Sequence, residues 1–499
     1  MLTITNICVI ICLDKSEQLK AKENLNSMAL LENEHYFVMD YFFSELDINI
    51  NKIMQEKKIV LWGAGGMGAL FMQSYADNYP ELVIEEVVDS NVSIHGQDFF
   101  GYKIKSPNEL SHDKDYYIII AISECRYKDI EEQMEQYKLN ETHVFFRKLL
   151  QPRPSELLGK TIYDKNQFNI QCHKINDFQT APTGNLTKCC FSREMVLGNI
   201  FCDSVDEVWN SAYEKIFRLS LLNRTCTFCY RCDVGCPYLA NREPEKEVEF
   251  QYKDYKTQYP NTLQLEMDSS CNLRCITCRD SLVMTEDGYF DIYSERIIRE
   301  YLSKCSRLFL MGTGEIFVSK YAQKVIMSKE CIRNGHITVL SNGLLFNEYN
   351  WEKFLSNYEK VDVAISIDAA TKETYDKIRR NGNWELLNKN LAFIAKLKRE
   401  GKIGFYQLNF VAQKMNVGEL EKFVEFGKKY NVDKVQISRL DNWGFEDNRY
   451  VELSILDEKY VIKDEYKKYF ENIVNDSIVD IQNFSNQIVG YYENPWVIW

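Results

Sequence analysis

Three cysteines, Cys271, Cys275 and Cys278, constrain this chain more than any other feature. They lie in Leu265-Glu266-Met267-Asp268-Ser269-Ser270-Cys271-Asn272-Leu273-Arg274-Cys275-Ile276-Thr277-Cys278, a C-x3-C-x2-C spacing directly after the apolar, strand-like run 262–267. Three thiolates from one short loop can hold three irons of a [4Fe–4S] cube, and the fourth iron then stays open to an outside ligand. A zinc knuckle is the competing reading, but structural zinc takes four N or S ligands, commonly as two close pairs. Three Cys within eight residues, with no His beside them, fit the cube better.

The other cysteines point the same way. Of sixteen, eight crowd into 172–236 and three into 271–278. Such clustering at C-x2-C and C-x3-C spacings predicts metal chemistry in an intracellular protein rather than a disulfide framework. Residues 1–12 are apolar but lack a basic n-region and a small-residue cleavage site, so no signal peptide is expected. They are too short to span a bilayer and read as a strand or a leader. The expectation is a cytoplasmic protein with no membrane span. A net charge of −13 disfavours nucleic acid and anionic lipid as partners, because phosphates repel it. At 499 residues the chain has room for several domains.

Residues 1–56 are expected to be mainly helical from residue 15 onward, with Met39, Phe42, Phe43, Leu46 and Ile50 at helical spacing as core. Residues 57–150 read as a small α/β unit. The strand 58–62 runs into Gly63-Ala64-Gly65-Gly66-Met67-Gly68, a G-x-G-x-x-G match that opens a helix to about Tyr75. The next strand, 82–88, ends at Asp89, and strands 116–121 and 143–146 follow. In dinucleotide folds Gly63, Gly65 and Gly68 would let phosphates approach the backbone, and Asp89 would bind a ribose hydroxyl. With Gly101-Tyr102-Lys103-Ile104 and Ser106-Pro107, the segment resembles the nucleotide-binding N-terminal domain of bacterial sugar-nucleotide acyltransferases. That resemblance implies a Rossmann-like fold and a uridine-diphosphate sugar or similar nucleotide as ligand. A docking domain whose glycines only shape a turn is the alternative.

Residues 259–445 hold six strand–helix alternations, with strands at 263–267, 307–311, 337–340, 361–367, 404–410 and 434–438. Alternation of this kind predicts parallel strands and right-handed crossovers, with functional residues at strand C-termini. The strand ends carry Gly312-Thr313-Gly314-Glu315, Ser341-Asn342-Gly343, Ser366-Ile367-Asp368 leading to Arg379, and Asn409-Phe410-Val411. With the cysteine triad, this resembles the radical SAM superfamily and its partial (β/α)6 barrel. The resemblance implies that S-adenosylmethionine (SAM) binds the open iron. Gly314 and Glu315 would meet its amino group, Ser341, Ser366 and Asp368 would meet SAM or substrate, and Arg379 would pair its carboxylate. The aromatic residue often found before the third Cys is Thr277 here, so adenine must pack elsewhere, on Ile276 or a strand-6 residue.

Between these segments, residues 151–250 carry Cys172, Gly184-x4-Cys189, Leu197-Gly198-Asn199-Ile200, Glu207-Val208-Trp209 and Cys226-x2-Cys229. The set resembles the SPASM and twitch auxiliary domains of radical SAM enzymes. It implies Cys172, Cys189, Cys226 and Cys229 as ligands of an auxiliary [4Fe–4S] cluster. Cys190, Cys232 and Cys236 are candidates for a second auxiliary cluster, although C-x2-C-x2-C-x3-C departs from the two-cluster spacing. A zinc ribbon on the same thiols is the alternative. In the family the auxiliary domain follows the barrel; here it precedes it, joined by the charged stretch 237–261. Residues 446–499 are expected to form a helical tail, with Tyr466, Tyr469, Phe470 and Ile473 packing and Trp496 and Trp499 covering apolar surface.

The implied cofactors are two [4Fe–4S] clusters, three with the second auxiliary one, and SAM, plus a nucleotide at the N-terminal domain. The implied chemistry is reductive cleavage of SAM to a 5′-deoxyadenosyl radical that takes hydrogen from substrate, with flavodoxin or ferredoxin as electron donor. An auxiliary cluster that accepts the remaining electron makes a dehydrogenase; a thiol that returns hydrogen makes an epimerase. Cys305 and Cys331 are expected on helices, packing the core. Residues 57–150 favour a sugar nucleotide or glycan precursor as substrate. Peptide or protein modification is the second reading, and a non-catalytic iron–sulfur or zinc scaffold binding a nucleotide and a partner is the third.

Overall fold

A computed structural model describes residues 9–11, 15–28, 36–38, 58–75, 83–110, 116–123, 126–139, 142–146, 172–189, 192, 195–222, 228–229, 259–312, 314–441, 449–457 and 461–482. The chain divides into two units, one of 1–164 with 210–216 and 496–499, the other of 165–209 with 217–495.

In the first unit, β1 (Val9–Ile11) pairs in parallel with β2 (Tyr36–Val38), and the helix Lys15–Ser27 lies between them in sequence. The expected core positions from Met39 to Ile50 lie outside the described residues. A six-stranded sheet follows, built from β3 (Lys58–Trp62), β4 (Ile84–Val88), β5 (Asp98–Phe99), β6 (Tyr102–Lys105), β7 (Tyr116–Ile120) and β8 (Thr142–Phe145). Its order is β5-β6-β4-β3-β7-β8, parallel except for the β5–β6 hairpin. Parallel strands are covered on both faces and so read as continuous apolar runs. Tyr-Tyr-Ile-Ile-Ile in β7 is buried at every position. Order reverses on either side of β3, which makes the sheet doubly wound and puts the glycine loop at the crevice of its switch point.

The second unit contains one sheet of ten strands. These are β9 (Asp177–Thr180), β10 (Asn185–Thr187), β11 (Gly198–Asn199), β12 (Thr262–Glu266), β13 (Arg307–Met311), β14 (His336–Ser341), β15 (Lys360–Ser366), β16 (Ile403–Ala412), β17 (Lys434–Arg439) and β18 (Val479–Gln482), in the order β11-β10-β9-β12-β13-β14-β15-β16-β17-β18. From β12 to β18 every pair is parallel. The six expected barrel strands are all present, with ends shifted by two residues or fewer.

Side chains alternate across each strand, so register sorts them onto two faces. One face presents Leu263 and Leu265, Leu308 and Leu310, Ile337 and Val339, Val363 and Ile365, Leu408 and Phe410, and Val435 and Ile437, all buried. The helices Trp384–Arg399 and Leu420–Lys429 cover it, with Leu387, Leu391 and Ile394, and Leu420, Phe423 and Val424, at the spacings of one helix face. The opposite face carries Gln179, Gln264, Glu266, Gln407, Asn409 and Gln436. Phe309, Met311, Leu340 and Phe405 share the face, so this inner wall is mixed, with its amides toward the two sides.

Two features differ from expectation. The auxiliary segment is joined to the barrel by more than the stretch 237–261; its strand β9 pairs in parallel with β12, Thr262 against Asp177 through Leu265 against Thr180. The tail is not purely helical. After the helices Arg449–Leu453 and Asp464–Glu471, β18 adds to the edge of β17, Val435 against Val479 through Ser438 against Gln482. Val-Asp-Ile-Gln alternates in the strand period, and an open strand edge pairs with what reaches it. Phe470 and Ile473 are buried, as expected, and Trp496 and Trp499 lie outside the described residues. Cys331 sits on the helix Lys329–Asn334, but Cys305 lies in the connection before β13; both are buried. No helix among the described residues is long and apolar enough to cross a membrane.

Candidate functional site

Cys271, Cys275 and Cys278 occupy the loop that leaves the C-terminal end of β12. Backbone bonds hold that loop from two sides. Cys271 N donates to Val283 O at 2.9 Å, and Arg274 N and Ile276 N donate to Arg380 O and Ile378 O, both at 3.0 Å. Cys278 N and Arg279 N both reach Cys275 O, which turns the chain tightly between the last two thiols. Each sulfur faces a donor: Leu273 N lies 3.4 Å from Cys271 Sγ, Arg379 Nη1 3.6 Å from Cys275 Sγ, and Arg279 Nε 3.3 Å from Cys278 Sγ. Cys275 is buried, Cys271 half-buried and Cys278 exposed, and burial pushes the Cys271 and Cys275 thiols up. Three thiols on one braced loop, each with an N–H donor, fit an iron–sulfur cluster whose thiolates carry charge. Among the described residues, no three His, Cys, Asp or Glu side chains converge closely enough to hold a single metal ion.

The loop after β13 rests on this one. A Cβ at Gly314 would stand 2.4 Å from Asp268 O and 2.8 Å from Ser270 O, so only glycine allows the approach. Glu315 N then donates to Ser270 O at 2.7 Å. The Glu315 carboxylate is buried and accepts from Ser341 Oγ at 2.8 Å and Asn342 N at 2.7 Å. Burial pushes its pKa up, against those two donors. Glu315 and Ser341, expected from separate strand ends, thus meet. Thr313 lies outside the described residues.

Asp368 follows β15 in a left-handed conformation, φ 62°. Its carboxylate pairs with Arg379 Nη2 at 2.7 Å and accepts from Val411 N at 2.9 Å, while its carbonyl accepts from Asn416 Nδ2. Ser366 stands beside Asn409 in register on the inner wall. Asn409 Oδ1 accepts from Gln407 Nε2 at 2.6 Å.

Sequence reasoning left out the residues that brace these groups. Asp268 is buried and paired with the Ser319 hydroxyl, Asn342 ties Glu315 to Asn272, and Asn416 holds the Asp368 turn. Their one signal is position, just past strand ends.

In the auxiliary segment, Lys174 N faces Cys172 Sγ at 3.4 Å, and the Ser192 hydroxyl lies 3.8 Å from Cys189 Sγ. Gly184 turns the β9–β10 hairpin at φ 83°, where a Cβ would stand 2.5 Å from the Phe201 ring. The hairpin delivers Cys189, while Cys172 and Cys189 are buried and Cys229 half-buried. Cys190, Cys226, Cys232 and Cys236 lie outside the described residues. The segment is stitched to β12 beyond the ladder: Tyr293 Oη donates to Thr180 Oγ1 at 2.6 Å and Gln179 Nε2 to Glu266 Oε1 at 3.0 Å.

In the first unit, Gly63 (φ 122°) and Gly68 have structural reasons to be glycine, since a Cβ would collide with Ala121 O and Gly63 O respectively. Gly65 and Gly66 face open space. Asp89 accepts from Ala64 N and Asn91 N, both at 2.8 Å, so its carboxylate anchors the glycine loop.

Residues 55–145 match a family described as C2185-like, N-terminal, and residues 172–233 match SPASM, an iron–sulfur cluster-binding domain. The SPASM match takes in Cys172, Cys189, Cys226 and Cys229 and stops before Cys236. Mycofactocin maturase MftC of Mycobacterium tuberculosis is 25% identical over 182 residues, 36% of this chain and 45% of that protein. GTP 3′,8-cyclase of Peptoclostridium acidaminophilum is 26% identical over 130 residues, 25% of this chain and 39% of that protein. The chain thus spans under half the length of these curated relatives. Among solved structures, Streptococcus suis SuiB bound to S-adenosylmethionine aligns with a TM-score of 0.34 at 14% identity, covering 47% of this chain and 56% of that one.

Proposed function

We propose that this chain, a radical SAM protein with a SPASM iron–sulfur domain, is an enzyme that modifies a side chain of a peptide or protein. One arrangement carries the reading: β9, with Cys172 just before it and Cys189 delivered by its hairpin, lies directly on β12, whose opposite end leads into Cys271, Cys275 and Cys278. A substrate lying along the inner wall of that sheet would run between the two groups of cluster ligands, one at each end of these strands. When bound, the triad cluster supplies the electron that splits SAM into methionine and the hydrogen-abstracting 5′-deoxyadenosyl radical.

The chain's own residues do the rest. Glu315, fixed by Ser341 and Asn342, presents a buried carboxylate suited to an amino group such as that of SAM. The inner wall offers the amides of Gln179, Gln407, Asn409 and Gln436, which donate and accept as peptide groups do. Similarity to a maturase and the SPASM domain support a peptide over a sugar nucleotide. A low-potential donor such as flavodoxin or ferredoxin supplies the electron.

A second reading has one observation in its favour. The doubly wound sheet leaves Gly65 and Gly66 open at the end of β3, where a nucleotide phosphate would approach. It makes the N-terminal domain a nucleotide or nucleotide-sugar site.

Anaerobic reconstitution followed by SAM and dithionite tests the first reading. About eight irons per chain are expected from two cubes and about twelve from three, with 5′-deoxyadenosine formed and then lost in Cys271→Ala. Zinc in place of iron, or no 5′-deoxyadenosine, overturns it. Calorimetric titration with short peptides against uridine-diphosphate sugars separates the substrates. Sugar-nucleotide binding abolished by Gly65→Val, without peptide binding, would favour the second.

A further inference from the structure

We infer that Asp368 and Arg379 form an opposed charge pair that sets the reduction potential of the cluster held by Cys271, Cys275 and Cys278. The inference rests on a cluster at that triad, and so on the reading above.

Arg379 Nη1 points at Cys275 Sγ from 3.6 Å, and Nη2 is held by Asp368 at 2.7 Å. The pair is withdrawn from water, with side chains 12% and 3% exposed. Nε of Arg379 is buried with no hydrogen-bond partner. Nη2 on Asp368 and Nη1 on a sulfur turn the outer edge of the guanidinium to these two partners. Its charge is directed at the cluster. Arg279 is a different case: it reaches Cys278 at an exposed position, where water screens it.

The consequence follows from charge alone. Taking up one electron makes the thiolate-bound cluster one unit more negative. A buried cation beside a ligating sulfur favours that reduced state and raises the potential; a buried anion behind the cation opposes it. Asp368 also fixes the guanidinium, and three contacts hold it in place: Arg379, Val411 N and the Asn416 amide on its own carbonyl. Its φ of 62° is one that asparagine tolerates, so Asp368→Asn removes the charge and keeps the turn.

The test is an electron paramagnetic resonance redox titration of the reconstituted full chain. The reduced-cluster signal that changes on adding SAM identifies the triad cluster. Arg379→Gln is expected to move its midpoint potential negative, Asp368→Asn to move it positive, and Arg379→Lys to stay close to wild type. Opposite signs are what a merely structural role cannot produce, since two damaging substitutions would disturb the site in the same sense. Midpoints that do not move, or that move in one direction for both neutralising variants, overturn the inference. If Arg379→Gln fails to hold a cluster, Asp368→Asn decides alone: a positive shift supports it, and no shift or a negative one overturns it. Failure of the wild type to assemble a SAM-responsive cluster refutes the functional reading instead.

Discussion

At the scale of single residues, glycine and cysteine carry the clearest consequences. Gly314 is glycine because a Cβ there would press on two carbonyls of the cysteine loop. Gly314→Ala is expected to cost about 1–3 kcal/mol by overpacking and to leave the triad underloaded with iron. An iron count beside an unchanged circular-dichroism spectrum checks this. Cys331, buried against the Tyr358 hydroxyl at 2.9 Å, has its thiol pushed up from 9.0 to about 12. Above pH 9 the unfolded chain releases a proton that the folded chain keeps, so this thiol's contribution is full below pH 9. It falls by about 1.4 kcal/mol per pH unit until the folded value is reached. Urea melts at pH 8 and pH 10.5 should show a smaller loss of stability in Cys331→Ala than in the wild type. The roles of Glu315 and Arg379 were partly legible in sequence, as polar residues at or near strand ends. Their partners Ser341, Asn342 and Asp368 are chosen in space, not by spacing.

At the scale of elements, the alternation of strands and helices from 262 to 439 was readable because apolar runs and amphipathic helices differ in period. Strand β18 was not, since four residues of alternating pattern declare themselves only when an open edge lies alongside. The junction of β9 with β12 joins the auxiliary segment to the barrel strands. Tyr293 fastens it, donating to Thr180 Oγ1 and contacting Glu266 O at 2.9 Å. Tyr293→Phe leaves those buried acceptors short of a donor and should cost about 1–3 kcal/mol. A lowered melting temperature with the auxiliary iron more easily chelated is the expected result, and an unchanged melt would show that the ladder alone suffices.

At the scale of the whole molecule, the continuous sheet of the second unit makes the auxiliary segment and the barrel one cooperative body. Cluster binding to the folded chain alone stabilises that body by mass action. Cys189→Ala should therefore lower the thermal transition of the barrel itself, as a single event in calorimetry. Two separate transitions, with the barrel unmoved, would mean that the modules fold apart.

The sequence by itself determined the chemistry that depends on short spacing: three thiols on one loop, the hairpin that delivers Cys189, the glycine loop after β3, and the parallel run of strands. These follow from local geometry, where a few residues settle both conformation and reach. Only the tertiary structure decided which edges join and which charges meet. The auxiliary strand precedes the barrel in the chain yet lies on β12, with Gln179 and Glu266 bonded across 87 residues. Arg379 reaches Cys275 across 104. Sheet edges accept whichever strand the core delivers, and a buried charge takes the partner that packing brings within range. Neither choice is written in the local pattern.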